Sequence, residues 1–412
     1  NQTCQAPLGG ACENWHPMKG PMATQTLVGI MGTGPVHWRG DREDLAAFNG
    51  AFEGLLGDDI QLTPQEMSDF TDFVATLRFP PNPNRNIDDT LKTTFPNGGY
   101  PQNGQNRFLN QPIDGGILTC VFCHAMPTGT NGTITPAVAL QDTQSVKIPQ
   151  LRNMYEKTGF LVTSQNNNKG FGFIKDGSVD TLFGFLQFSG FNFNQNPQPP
   201  ATPDQQRRDL ESCLLSFPTG THAGIGEQTT VLNGAAVPGD QQTLINTMLN
   251  LAGSNAVGLV VKGVQSGAQR GYAFVGGGSF QSDRVGRTFT SAALLAAAGA
   301  NGPNSQLTWT MVPKGSETRI GIDRDLDTFL DRDEVLACSN PADPSITPLN
   351  VCHSDVTGNH IVDIQDLLAI VSAWGQNGPV GTVSGDIAPD CGDGVVNITD
   401  LLEIVRGWGA CP

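Results

Sequence analysis

Charge is scarce in this sequence, and positive charge is scarcer still. Only 15% of the 412 residues are charged, and 23 Lys and Arg stand against 39 Asp and Glu, a formal charge of −16. Such a chain lacks the basic surface that nucleic acid or an anionic membrane attracts, which argues against both as partners. Long apolar runs are missing as well. The longest candidate, SAALLAAAGA at 291–300, falls short of the roughly 20 residues of a membrane-spanning helix, so no transmembrane segment is expected. No methionine opens the chain and no signal peptide precedes Asn1. A processed, exported product is therefore expected, secreted, periplasmic or on the surface of a bacterium. Gly (50) and Pro (28) are plentiful, which favours short elements between many turns. A chain of this length is expected to hold roughly two to four domains.

Against this background stands CVFCH, Cys120 to His124. In C-x-x-C-H two thiols one turn apart can add to the vinyl groups of one porphyrin, and the following histidine is placed to hold the iron. A zinc site would need a second ligand pair at matching spacing, and none lies nearby. A thioredoxin-like pair would need a βαβ context, which the Gly-, Pro- and Asn-rich flanks do not provide. One covalent haem c on Cys120, Cys123 and His124 is the expectation. The seven remaining cysteines are odd in number, so at least one thiol is unpaired or pairs between chains. Oxidising compartments preserve disulfides, and close spacing points to Cys4–Cys12, Cys338–Cys352 and Cys391–Cys411, leaving Cys213 on an expected helix. Six cysteines allow 15 connectivities.

The first half of the chain repeats itself. After CVFCH come IPQLRN (148–153), FIKDGSVDTLFGFL (173–186) and a helix ending SFP; the first hundred residues carry ATQTLVG (23–29), HWRGDREDLAAF (37–48) and a helix ending RFP. The pattern Gly-x-x-acid-x-Leu-x-x-Phe occurs at Gly40, Glu43, Leu45, Phe48 and again at Gly177, Asp180, Leu182, Phe185. Two similar helical units in tandem are expected. Ahead of the first stands CENWH, with Cys12 and His16 but Trp15 where the second cysteine belongs. The simplest account is a haem site that has lost its attachment; an unrelated loop and a single-cysteine attachment stay open. For the iron's sixth position, His37 or His16 lent by the first unit, Met154, His222, or an open site are the alternatives.

Over residues 12–222, CVFCH followed by IPQLRN and KDGSVDTL resembles the bacterial di-haem cytochrome c peroxidase group and its methylamine-utilisation relatives. That group carries a histidine before the Asp-Gly pair, where this chain has Lys175, and two haems, where this chain has one intact motif. The resemblance implies a cytochrome c-like fold and carries Cys120, Cys123 and His124 over as haem residues, without a catalytic apparatus.

Residues 223–322 change character. LVVKGV, GYAFVGG and LTWTMVP read as strands and SAALLAAAG as a helix, a small α+β unit. The GGG at 276–278 lacks the strand–loop–helix spacing and the lysine of a phosphate loop and reads as a turn. Then DRDLDTFLDRDE places Asp323, Asp325, Asp327, the Phe329 carbonyl, Asp331 and Glu334 at positions 1, 3, 5, 7, 9 and 12 of an EF-hand-type calcium loop, with Thr328 at the usual glycine position. After a linker, DIQDLLAIVSAWG (363–375) is matched by NITDLLEIVRGWG (397–409), each with an apolar helical stripe: Leu367, Leu368, Ile370, Val371 and Leu401, Leu402, Ile404, Val405. A calcium-type loop precedes each helix. The first offers Asp355, Thr357, Asn359, the Ile361 carbonyl, Asp363 and Asp366. The second offers Asp393, the Val395 carbonyl, Asn397 and Asp400, with Asp386 or Asp390 supplying its irregular start. Two loop–helix repeats over 353–412 resemble a dockerin domain, which implies docking to a cohesin-like scaffold; self-assembly, or a calcium-stabilised cap on the same chain, stays open. Two to three Ca²⁺ are expected, and three would move −16 to about −10.

The fold expected is mainly α in the cytochrome c-like tandem, a small α+β middle domain and an all-α dockerin-like end. The boundaries are 1–102 (haem-less unit), 103–222 (haem unit), 223–337 (α+β with a calcium loop) and 338–412 (linker and dockerin-like domain). The function expected is an exported mono-haem c-type cytochrome passing electrons to a redox partner protein. A haem peroxidase-type oxidoreductase and a scaffold-assembled structural protein are the alternatives.

Overall fold

The computed structural model describes residues 22–140, 142–159, 170–193, 202–300, 302, 305–379, 382–389 and 391–411. The chain divides into two compact units, Asn1–Gly224 and Ile225–Pro412.

In the first unit, helices α1 (Asn49–Gly54), α2 (Pro64–Thr76), α3 (Pro101–Asn110), α4 (Cys120–Cys123), α5 (Ala137–Leu140), α6 (Leu182–Phe185) and α7 (Pro203–Leu215) alternate with long turns. One two-stranded antiparallel ladder joins β1 (Ile134–Thr135) to β2 (Val146–Lys147). The two longest helices start alike, Thr63-Pro64 and Thr202-Pro203, with the threonine hydroxyl accepting from the amide three residues on. Proline at the first helical position loses no hydrogen bond, because that amide has no partner in the helix anyway. α3 and α7 cross in close contact at Gly104, where an added Cβ would sit 2.0 Å from the Asp209 carbonyl oxygen, so only glycine fits. Beside the crossing, Arg107 faces Asp209 at 3.5 Å, both buried. Phe108, Leu151, Met154, Phe173, Leu182, Leu210, Leu214 and Phe217 are among the residues that form the core here, and Cys120 and Val121 pack on it.

The repeated pattern takes one shape twice. Val36 bridges Arg42, and Phe173 bridges Val179. Each turn contains a left-handed non-glycine residue, His37 (φ 68°) or Ile174 (φ 59°), followed by a left-handed glycine, Gly40 or Gly177. At Gly177 an added Cβ would lie 2.2 Å from the Phe171 carbonyl. Leu45 and Leu182, and Phe79 and Phe217, are buried at matching places.

In the second unit a six-stranded antiparallel sheet has the order β3-β8-β4-β5-β6-β7, built from Gln228–Val231 (β3), Gly258–Gln265 (β4), Ala268–Gly276 (β5), Ser279–Ser282 (β6), Thr288–Thr290 (β7) and Leu307–Val312 (β8). Helix α8 (Gly239–Gly253) packs on it through Ile245 and Met248, which with Leu259, Tyr272, Phe280 and Trp309 are fully buried. The β4–β5 hairpin closes through Ser266 and Gly267, both at positive φ, the backbone that matches strand twist in a two-residue loop. Helix α9 (Ser291–Ala297) follows β7, and α10 (Glu317–Gly321) lies against β4 and β5. Beyond it come α11 (Asp331–Ala337), α12 (Ile364–Ser372) and α13 (Ile398–Arg406). A short ladder pairs β9 (Ile361–Val362) with β10 (Gly409–Ala410).

Two expectations need correction. The fold class is neither mainly α nor all-α at its end. The largest element is the antiparallel sheet, the first unit is short helices separated by Gly- and Pro-rich turns that break helical runs, and the C-terminal repeat is closed by a β ladder. The disulfides join Cys338 to Cys391 and Cys352 to Cys411, not near neighbours in sequence. Folding the two loop–helix repeats face to face brings each cysteine beside one 53 or 59 residues away. Cys4 and Cys12 lie outside the described residues, and Cys213 is a buried free thiol.

Candidate haem-attachment site and acidic loops

Thr119 stands in extended backbone at the N-cap of α4, so Cys120 and Cys123 share one short turn, and the His124 amide bonds back to the Cys120 carbonyl at 2.9 Å. His124 Nδ1 lies 2.7 Å from the Gly129 carbonyl and donates to it. This fixes Nδ1 as the donor, the arrangement that second-shell partners impose on metal-binding histidines. Burial lowers the imidazole's pKa, against the pull of the Gly129 and Pro149 carbonyls and of Asp114. Burial pushes the Cys120 thiol up to about 12, with Asp114 adding to the effect, and raises Cys123 in the same way. Around the motif Ile117, Phe122 and Met126 are exposed although apolar. Two thiols on one turn, a tethered histidine and uncovered apolar side chains fit a covalently held porphyrin.

The residues expected near the iron part company. Met154 is 5% exposed in the core that Cys120 flanks. His37 instead donates from Nδ1 to the Asp41 carboxylate at 3.0 Å and meets Phe48 edge-on. It lines a cavity of about 570 Å³ whose wall includes Trp38, Phe52 and Phe70 and none of Cys120, Cys123 and His124. His222 accepts from the Gly224 amide through Nδ1 at 3.1 Å, and His16 lies outside the described residues. Lys175 pairs with Asp142. Sequence reasoning missed the Arg107–Asp209 pair, for which no local spacing gives a signal.

The first acidic loop gathers carboxylate oxygens of Asp323, Asp325 and Asp327 within 4.8 Å of one another. Asp325 Oδ2, Asp327 Oδ2 and Glu334 Oε2 are buried without a hydrogen-bond partner. Burial, with Asp327, Asp325 and Asp331 adding and the Ser339 hydroxyl opposing, raises Glu334 to about 7. Thr328 takes φ 84° where a glycine is usual, and its amide donates to Asp323 at 3.2 Å. Asp331 accepts from the Arg324 amide, and Phe329 donates its own amide to Asp327. Orphaned, crowded carboxylate oxygens fit a divalent cation.

The later loops satisfy their carboxylates differently. Asp355 accepts from the amides of Gly358, Asn359 and His360, and Asp366 from those of Thr357 and Asp363. Asp386 accepts from Asp393 and Gly394, so it stands at the start of the third loop as Asp355 does in the second. Asp400 accepts from Ile387, Ala388 and Asn397. Asp363 and Asn397 cap α12 and α13, Asn359 turns back on Ile361, and Val395 accepts from Asn397. Asp390 lies outside the described residues. The expected apolar stripes split: Ile370 and Ile404 are fully buried, whereas Ile364, Leu368, Val371 and Trp374 on or just past α12, and Ile398, Leu402, Val405 and Trp408 at the matching places of α13, are each 49–57% exposed. Their i, i+4, i+7 spacing was visible in the sequence.

No family model matches the chain, and no curated protein does. Among solved structures it is similar to hydrazine synthase of Kuenenia stuttgartiensis, pressurised with 20 bar xenon, at 15% identity and a TM-score of 0.33, over 47% of this chain and 72% of that one. A likeness at this level carries no argument about fold or activity. No helix among the described residues is long and apolar enough to cross a membrane.

Proposed function

We propose that the chain is an exported c-type cytochrome with one covalent haem, which passes electrons to a partner protein and carries a calcium-loaded docking module at its C-terminal end. The observation that carries the haem reading is His124, tethered through Nδ1 to the Gly129 carbonyl beside Cys120 and Cys123. Haem bound there would supply a one-electron couple. Cys120 and Cys123 would hold it, His124 would ligate its iron, and the core around Phe108 and Leu210 would keep water away. Met154 lies in that same core whereas His37 lines a cavity without the motif, so Met154 rather than His37 would be the second protein ligand. Two disulfides support an oxidising compartment. A pyridine haemochrome spectrum with intact-mass analysis tests the reading: one haem per chain is expected, and none or two overturns it.

A docking role rests on the duplicated exposed stripes of α12 and α13, since contiguous exposed apolar side chains mark interaction surfaces. A cohesin-like scaffold or a second copy would cover them. Light scattering with Trp374→Ala and Trp408→Ala separates these: self-association lost in the variants identifies a second copy.

A further inference from the structure

Both disulfides among the described residues are tied into the acidic loops. Cys338 follows α11, four residues past Glu334 and next to Ser339, whose hydroxyl donates to Glu334 at 3.1 Å. Its partner Cys391 lies in the third loop, between Asp386 and Asp393. The ring of His353 sits within 4.8 Å of both sulfurs and donates from Nε2 to the Ile387 carbonyl. The Ile387 amide in turn donates to Asp400 at 2.7 Å. Cys352 stands three residues ahead of Asp355. Its partner Cys411 places Sγ 3.8 Å from Asp355 Oδ2 and donates its amide to the His360 carbonyl at 3.2 Å. The segment Cys411 anchors is β10, which pairs with Ile361 and Val362 of the second loop.

Cys338 and Cys391 also share an unfavourable backbone, φ 63° and φ 75°. All four cysteines are partly exposed, within reach of a reductant.

We propose that calcium at the acidic loops and the two disulfides are coupled, making the C-terminal end a redox-gated calcium site. This rests on the calcium reading above. A dithiol reductant passes two electrons and two protons to a bridge, leaving as its own disulfide while the protein gains two thiols. Opening Cys352–Cys411 frees β10 from the second loop; opening Cys338–Cys391 frees Asp386 and Asp400 of the third from Glu334 of the first. Loops that spend less time in the binding shape bind in proportion less tightly. The linkage is reciprocal, so calcium protects the bridges. Because Asp363, Asp366, Asn397 and Asp400 begin α12 and α13, calcium loss also loosens the helices that carry the exposed stripes.

Two measurements on the full-length chain test the coupling. Titration calorimetry with calcium chloride compares the oxidised protein with the paired variants Cys352→Ser/Cys411→Ser and Cys338→Ser/Cys391→Ser; at least about tenfold weaker binding is expected in each. Thiol trapping of the unmutated protein during dithiothreitol treatment needs no variant to fold, and reduction should be several-fold faster in EDTA than in calcium. Equal calcium affinity with and without the bridges, or reduction indifferent to calcium, overturns the coupling. No calcium binding by the oxidised protein overturns the calcium reading itself, and the coupling falls with it.

Discussion

The first unit and the sheet of the second close their cores in opposite ways. Around the sheet, Trp309, Tyr272, Phe280, Leu259, Ile245 and Met248 are fully buried by strands and the helices packed on them. In the first unit short helices hang on turns, and Ile117, Phe122 and Met126 remain exposed around Cys120–His124. Antiparallel hairpins satisfy their own backbone and bury their own faces. The short helices between glycine turns leave apolar side chains around the motif uncovered, a surface that a porphyrin would cover. The difference teaches where each unit leaves groups unsatisfied: the first in apolar side chains around Cys120–His124, the second in the carboxylate oxygens of Asp325, Asp327 and Glu334.

The largest break in that comparison comes from Cys120→Ala with Cys123→Ala. Covalent haem should disappear completely from the intact mass, and the first unit should lose stability while the sheet unfolds as before; Cys12→Ala should leave the haem mass unchanged. Next is Asp209→Ala, which strands the buried Arg107 guanidinium and should cost about 3–5 kcal/mol in the first unit only, read as a shifted denaturation midpoint for that unit.

Calcium removal sharpens the other side. A site held at one hundred times its Kd is stabilised by about 2.7 kcal/mol, or roughly 5–10 °C in a unit of this size. EDTA should lower the melting temperature of the second unit by that order and leave the haem absorbance unchanged. Without metal, pH should act through Glu334, whose folded pKa near 7 lies above its unfolded value of about 4.3. The folded state then binds the extra proton, so metal-free stability should rise as pH falls from above 7 towards 4.3 and decline as pH rises through 7. Glu334→Gln should flatten that slope. Smallest of all, Trp374→Ala and Trp408→Ala should change stability by no more than about 0.5 kcal/mol, because both rings are about half exposed.

The sequence by itself determined what depends on neighbours in the chain: the C-x-x-C-H turn, the twelve-residue spacing of Asp323 to Glu334, the duplicated turns at Gly40 and Gly177, and the loop–helix repeats ending in Trp374 and Trp408. Two-, three- and four-residue spacings fix which side chains share a turn or a loop whatever the rest of the chain does. Tertiary structure alone decided the pairings across distance. It set β8 between β3 and β4, joined Cys338 to Cys391 and Cys352 to Cys411, buried Met154 beside the motif, and turned His37 towards Asp41 on another cavity. It also divided each helical stripe, sending Ile370 and Ile404 inward and Leu368 and Leu402 outward. Those outcomes depend on which distant surfaces bury each other, and apolar burial has no direction along the chain from which a partner can be read.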